Sequence, residues 1–155
     1  MESIFDAIRI IFITSLAALA AYLDPVSGAL QSILGLLLIN FIVGLFTGLI
    51  VEDESFSFKK FKAAVCEGAF FLGLISFTFY LGERNGNATE TLYCVSAITY
   101  IIIYCYSVNV LKNVRMWLTK GSPSFSAVDM IYYILTIEFV KKFPAFDKFK
   151  QTENK

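Results

Sequence analysis

One stretch of this sequence decides the fold: ALQSILGLLLINFIVGLFTGLIV, residues 29–51. It contains 23 residues and no charged side chain. A helix rises about 1.5 Å per residue, so about 20 apolar residues cross the roughly 30 Å of hydrocarbon in a bilayer. Lipid offers no partner to a bare N–H or C=O group, so such a segment must be helical or belong to a closed barrel. Polar and apolar residues do not alternate here as in a barrel strand, and we therefore predict a transmembrane helix.

Two further stretches, at residues 63–81 and 92–111, have the same character over 19 and 20 residues. The three stretches together hold one charged side chain, Glu67. A fourth candidate lies at residues 4–23, where we expect a membrane span in preference to an interfacial helix. The sequence thus predicts an all-α integral membrane protein, a bundle of three to four transmembrane helices plus a C-terminal interfacial helix.

The composition excludes several classes of function. Charged residues make up 17% of the chain, against about 25% in soluble domains. The formal net charge is zero, so no overall field attracts nucleic acid. The chain has no histidine, and its three cysteines lie in or beside apolar segments without metal-ligand spacing. Because it also contains no phosphate-binding loop, nucleophile motif or carboxylate pair, we expect no enzymatic activity, no cofactor and no metal.

The distribution of basic residues predicts the orientation. If residues 4–23 span, then the N-terminus, the loop at residues 52–62 and the C-terminal tail lie on one side of the membrane. That side holds twelve of the thirteen Lys and Arg residues, and only Arg84 lies opposite. The positive-inside rule then places the basic loops and the C-terminus in the cytoplasm. A three-span arrangement would move the N-terminus alone.

The chain divides into a membrane domain, residues 1–121, and a cytoplasmic part, residues 122–155. Ser126 and Asp129 resemble the capping box that starts a helix. That helix, reaching about residue 143, is too short and too charged to span, so we expect it to be interfacial or packed. The basic residues near the membrane boundaries are expected to contact lipid headgroups: Lys59, Lys60, Lys62, Lys112, Arg115, Lys120, Lys141 and Lys142.

Small and polar residues recur at helical spacing within the apolar stretches. The GxxxG spacing of Gly44 and Gly48 lets two helix backbones approach closely. Either helices of the same chain or a neighbouring subunit would pack on such a face. The candidate packing or oligomer face comprises Asn40, Gly44, Thr47, Gly48, Ala69, Gly73 and Ser76. The candidate polar stripe comprises Tyr93, Ser96, Tyr100, Tyr104 and Ser107.

Glu67 is the one charged residue inside the long stretches. It follows Lys62 by five residues, about 7.5 Å along a helix, and so lies near the membrane boundary. A carboxylate costs less there than the roughly 2.5–3.5 kcal/mol of a charge at the midplane. Two interpretations are open: a polar contact inside the bundle, or an ion pair with a lysine of the adjoining loop. A single ionisable group in the spans argues against an ion-coupled transporter.

Four short motifs follow one another in an order that is typical of one family. They are LLLINFIVG at residues 36–44, SFKKFK at 57–62, SVNVLKN at 107–113 and GSP at 121–123. In that order they resemble the LLLxxDYITG, SSxxGFKG, NExLSIxEN and Gly-Val-Pro motifs of the phage holins in the toxin-secretion and phage-lysis family. The resemblance covers residues 29–123. Asn40 stands where the family has an intramembrane Asp, and Cys105 and Tyr106 stand where it has Asn-Glu, so roles that need those carboxylates do not carry over.

The resemblance implies a small protein of the bacterial cytoplasmic (inner) membrane that oligomerises with itself and permeabilises the bilayer, as in phage lysis. The partners it implies are the lipid bilayer and further copies of the chain. The alternative is a non-lytic anchor, or a subunit of a larger membrane complex. Such a protein would recruit another membrane or cytoplasmic protein through its C-terminal helix.

Overall fold

The computed structural model describes residues 2–51 and 57–138, and every regular element in these residues is helical. The predicted headgroup contacts of Lys141 and Lys142, and the expected helix end near residue 143, lie outside the described residues. The elements are α1 at Glu2–Tyr22, a 3-10 turn at Asp24–Val26, α2 at Ser27–Phe46 with a π-helical turn at Thr47–Val51, α3 at Phe58–Arg84, α4 at Ala88–Trp117, and α5 at Pro123–Tyr133 with a π-helical turn at Ile134–Glu138.

Four helical segments are long and apolar enough to cross a membrane: Ile4–Tyr22, Asp24–Val51, Phe58–Arg84 and Ala88–Trp117. This confirms the predicted all-α membrane bundle. Helices α3 and α4 run beyond the predicted spans at residues 63–81 and 92–111. The reason is that a helix satisfies its own backbone groups and need not end where the lipid ends.

Helices α2, α3 and α4 form the packed core. Buried apolar residues from these helices and from the turn before α2 meet there: Val26, Ile33, Ile75, Phe79, Val95, Ile102 and Tyr106. Helix α1 differs, since every side chain from Ile4 to Tyr22 is exposed. Its last ring, that of Tyr22, lies 5.5 Å from the ring of Phe79. The rest of its apolar surface is suited to contact with lipid.

A tight turn joins α3 to α4. Gly86 has a φ of +71°, in the left-handed region that glycine tolerates. Before the turn, Gly82 lies so close to Thr91 that a Cβ at position 82 would overlap the Thr91 side chain. The Thr91 hydroxyl donates a hydrogen bond to the Asn87 carbonyl at 2.6 Å. This close approach fixes how α3 and α4 meet at the end of the hairpin.

Gly82→Ala is expected to destabilise this hairpin, because the added methyl group meets a side chain that already has a hydrogen bond. The free energy of unfolding in mixed detergent micelles should fall by about 1–3 kcal/mol, the usual cost of overpacking. Gly28→Ala is the matched control, since nothing lies within 4 Å of a Cβ at that position. Adding Thr91→Gly to Gly82→Ala removes the Thr91 Cβ as well as its hydroxyl and methyl groups, all of which the new Cβ would overlap, and should restore part of the loss. If the double variant recovers nothing, the contact does not limit stability.

The C-terminal helix begins one turn earlier than predicted. Its N-cap is Ser122, whose hydroxyl accepts a hydrogen bond from the N–H of Phe125 at 3.1 Å. Pro123 occupies the first turn, where its missing N–H would have no helical partner in any case. The predicted start at Ser126, with Asp129 in a capping box, is therefore wrong. The Asp129 side chain is instead engaged by α4.

Helix α5 folds back along α4. The Arg115 guanidinium lies 2.5 Å from the Asp129 carboxylate, and 4.4 Å from the centre of the Tyr132 ring. Farther along, the Tyr104 hydroxyl donates to the Leu135 carbonyl at 3.1 Å. The contacts step backward along α4 as they step forward along α5, so the two helices are antiparallel. The described part of this helix therefore packs on α4, and its placement at the membrane interface stays a prediction.

Asp129→Asn is expected to loosen α5, because it removes the ion pair while keeping the size of the side chain. The two side chains are 31% and 43% exposed. We therefore expect a loss between that of a surface pair, about 0–1 kcal/mol, and that of a broken buried pair, about 3–5 kcal/mol. Detergent-induced unfolding measures it, with Asp24→Asn at an exposed acid as the control. Equal stabilities of the two variants would contradict a holding role for the pair.

Candidate functional site: a polar cleft among the membrane helices

Two asparagines join α2 to α4 inside the spans. The Asn109 side-chain amide donates a hydrogen bond to the Asn40 carbonyl oxygen at 2.7 Å. The two residues lie at matching depth, since Asn40 precedes Thr47 by seven residues and Asn109 precedes Trp117 by eight. The Trp117 indole N–H donates to the Thr47 hydroxyl at 2.8 Å and links the same two helices about two turns farther on. Helices α2 and α4 are thus linked by side-chain hydrogen bonds at two levels.

Glu67 on α3 has a partner on α4. The Tyr106 hydroxyl donates to Glu67 Oε1 at 2.5 Å, and the Tyr106 side chain is buried while Glu67 is exposed. This is a polar contact inside the bundle, the first of the two interpretations of Glu67. Within residues 2–51 and 57–138, the structure shows no ion pair between Glu67 and a lysine or arginine.

These two contacts border one cavity, which we call the polar cleft. It has a volume of about 270 Å³. Its wall includes Asn40, Glu67, Phe71, Cys105, Tyr106 and Asn109. Because Glu67, Cys105 and Asn109 are exposed, the cleft opens sideways from the bundle. In a membrane this opening faces lipid.

The α2 part of the candidate packing face is turned inward. Thr47 is buried, and Gly48 is half-buried. A Cβ at Gly44 would lie 3.9 Å from Asn113 Nδ2 of α4. The Phe46 ring meets the Trp117 ring edge-on at 6.4 Å between centres. This part of the face therefore packs against α4 of the same chain.

The α3 part of the same face points away from the bundle. Ala69 and Gly73 are exposed, and Ser76 is half-buried. A Cβ placed at Gly73 would have nothing within 4 Å. The structure therefore separates the predicted face into an α2 part used within the chain and an α3 part left open.

The polar stripe on α4 is divided along its length. Tyr93 and Tyr100 are 73% and 71% exposed, and Ser96 is exposed between them. Tyr104 and Ser107 are half-buried, and Tyr104 is bound to the returning helix α5. The stripe is thus open in the half of α4 that follows the hairpin turn and partly covered in the other half.

The basic residues predicted to contact headgroups that fall within the described residues lie near the ends of the helices. Those with exposed side chains are Lys59, Lys60, Lys62, Lys112 and Lys120. Arg115 has protein partners on α5, which sequence reasoning did not identify. Its lipid contact stays a prediction. A useful signal in the sequence would have been Asp129, an acid on an otherwise apolar helix that needs a basic partner.

The membrane helices are thus connected by side-chain hydrogen bonds and, at the end of α4, by an ion pair to α5. No family model, no curated protein and no solved structure matches the chain. The class of the protein therefore follows from its own fold: it is a multi-span, all-α membrane protein.

Replacing Asn40 and Asn109 with leucine, singly and together, tests the link between α2 and α4. Hydrogen bonds between membrane helices average about 0.6 kcal/mol and reach about 1.7 kcal/mol, so we expect a coupling energy in that range. The same cycle with Asn40 and Asn113 is the control, because the structure gives no hydrogen bond between these two side chains. Unfolding in mixed micelles gives the four stabilities of each cycle. Equal coupling in both cycles would contradict a specific bond.

Proposed function

We propose that this protein is a holin-like, non-enzymatic membrane protein that assembles with copies of itself and permeabilises the bacterial cytoplasmic membrane. The observation that carries the proposal is that small and polar residues near the middle of α3 and of α4 are exposed and have no cover from the described residues. These residues are Ala69, Gly73, Ser96 and Tyr100.

Gly73 supports close association of subunits. It lies near the middle of α3, and the space beside it is open. Glycine in a membrane helix lets a second backbone approach, and association in lipid relies on such close packing because lipid is as apolar as the side chains. A glycine that faces only lipid gains no such packing between helix backbones. A helix of a second copy would fill the open space.

Tyr100 and Ser96 support a change of surroundings during assembly. The Tyr100 side chain is 71% exposed near the middle of α4, where lipid offers its hydroxyl no partner. In an assembly, the same hydroxyl would meet protein or water. A ring of such weakly polar residues suits a lesion without ion selectivity, since a filter would need converging carbonyls or charges.

The resemblance of residues 29–123 to phage holins agrees with this proposal. That region covers α2, α3 and α4 and ends at the start of α5. With four spans, both ends of the membrane domain lie on one side, and the basic loops assign that side to the cytoplasm under the positive-inside rule. Both the location and the orientation are parts of the proposal.

Induced expression in bacteria tests the function, with growth and uptake of a membrane-impermeant dye as the readouts. The unaltered chain should stop growth and admit dye. Gly73→Leu should lower both the crosslinked oligomers and the dye uptake at equal membrane levels of protein. Gly35→Leu is the matched control, because Gly35 is also an exposed helical glycine with open space but lies outside the candidate faces. It should behave as the unaltered chain does.

Two results would contradict the proposal. Oligomers and dye uptake that are equal in the two glycine variants would remove the α3 face from assembly. Inert expression of the unaltered chain would favour the alternative, a non-lytic anchor or subunit of a membrane complex that recruits a partner through its C-terminal helix.

A further inference from the structure

The polar cleft carries hydrogen-bond acceptors that the described chain leaves open. Glu67 Oε1 accepts the Tyr106 hydroxyl, and the Asn109 amide donates its N–H to Asn40. Glu67 Oε2 and the Asn109 carbonyl oxygen have no protein partner in the described residues. Both side chains border the same cavity and are exposed at its mouth. The two atoms of the cleft that lack a protein partner are therefore both hydrogen-bond acceptors, and one of them belongs to a carboxylate.

The charge of this cleft has no counterpart in the described protein. Glu67 is its one carboxylate, and no lysine or arginine of the described residues forms an ion pair with it. A carboxylate at the edge of the hydrocarbon is costly unless it is paired or hydrogen-bonded. One hydrogen bond from Tyr106 satisfies only part of its capacity, since an ionised carboxylate has about four acceptor positions. A cation with N–H donors in the cleft would balance the charge of Glu67 and supply the hydrogen bonds that its carboxylate lacks.

The depth of the cleft fits the amine of a lipid headgroup. Glu67 follows Lys62 by five residues and Asn109 precedes Lys112 by three, about 7.5 and 4.5 Å along their helices. Those lysines mark the ends of the apolar stretches. The Glu67 side of the cleft therefore lies near the headgroups, while Asn40, at the midpoint of residues 29–51, lines its deeper end. The side opening of the cleft leads into the bilayer.

We propose that the polar cleft binds a primary ammonium group, presented by an ethanolamine phospholipid or by a soluble amine. An ammonium group carries three N–H donors and one positive charge, and the cleft offers a carboxylate and an amide oxygen to receive them. A choline headgroup has the same charge but no N–H donor, so it cannot form these hydrogen bonds. The cleft thus selects for N–H donors as well as for charge.

Native mass spectrometry of the purified full chain tests the proposal. The probes are phosphatidylethanolamine and phosphatidylcholine with identical acyl chains. The unaltered protein should bind the ethanolamine lipid about tenfold more tightly, the change expected from about one charge-assisted hydrogen bond. Glu67→Gln should remove that preference, because it removes the charge and one acceptor. Glu83→Gln, at an exposed acid near the far end of α3, should keep it.

A second measurement separates the two sources of the amine. Free ethanolamine and tetramethylammonium are added to the unaltered protein, and protection against detergent-induced unfolding is recorded. Protection by ethanolamine alone, lost in Glu67→Gln, without a preference among lipids, assigns the site to soluble amines. Equal binding of the two lipids together with equal protection by the two cations overturns the proposal, as does a preference that persists in Glu67→Gln. Neither readout depends on membrane permeabilisation, so the outcome is independent of the proposed function.

Discussion

The hydrocarbon of the membrane cannot hydrogen-bond, and the rest of the structure depends on that constraint. It makes every spanning segment helical, and it makes a polar side chain in a span costly unless that side chain has a hydrogen-bond partner. Several hydroxyl groups have such a partner within their own helix: Thr99 donates to the Val95 carbonyl at 2.7 Å, and Thr78 donates to the Leu74 carbonyl at 2.8 Å. Several polar side chains that do not hydrogen-bond to a carbonyl of their own helix form hydrogen bonds to another helix. They therefore link particular residues of neighbouring helices at a given depth.

The connections between helices act together with packing and do not replace it. A single interhelical hydrogen bond contributes about 0.6 kcal/mol, so the two asparagines or Thr47 with Trp117 do not hold the bundle alone. The interdigitated apolar core around Ile33 and Ile75 supplies close contact, and the polar pairs set its register. The Arg115 contacts combine polar and aromatic interactions in the same way between α4 and α5. An arginine at the end of a span finds an acid and an aromatic ring on the returning helix.

Hydropathy alone could predict the number and approximate position of the spans, because the length of an apolar run reports directly on the thickness of the lipid. It could not predict which face of each helix points inward. The small-residue stripes of α2 and α3 look alike in sequence, yet Gly44 faces α4 while Gly73 faces outward. The pairs Thr47–Trp117 and Asn40–Asn109 are 70 and 69 residues apart, and no local pattern links them. Ser122 and Ser126 are both acceptable caps, and Pro123, which suits the first helical position, is the sequence signal that favours Ser122 as the start of α5.

The exposed small and polar residues near the middle of α3 and α4 are the basis for proposing self-assembly. The most direct test is to count subunits in the native membrane by stepwise photobleaching of a fluorescent protein fused to the C-terminus of the full chain. The account predicts several bleaching steps in each fluorescent spot. A single step in nearly every spot, at expression levels that stop growth, would contradict it.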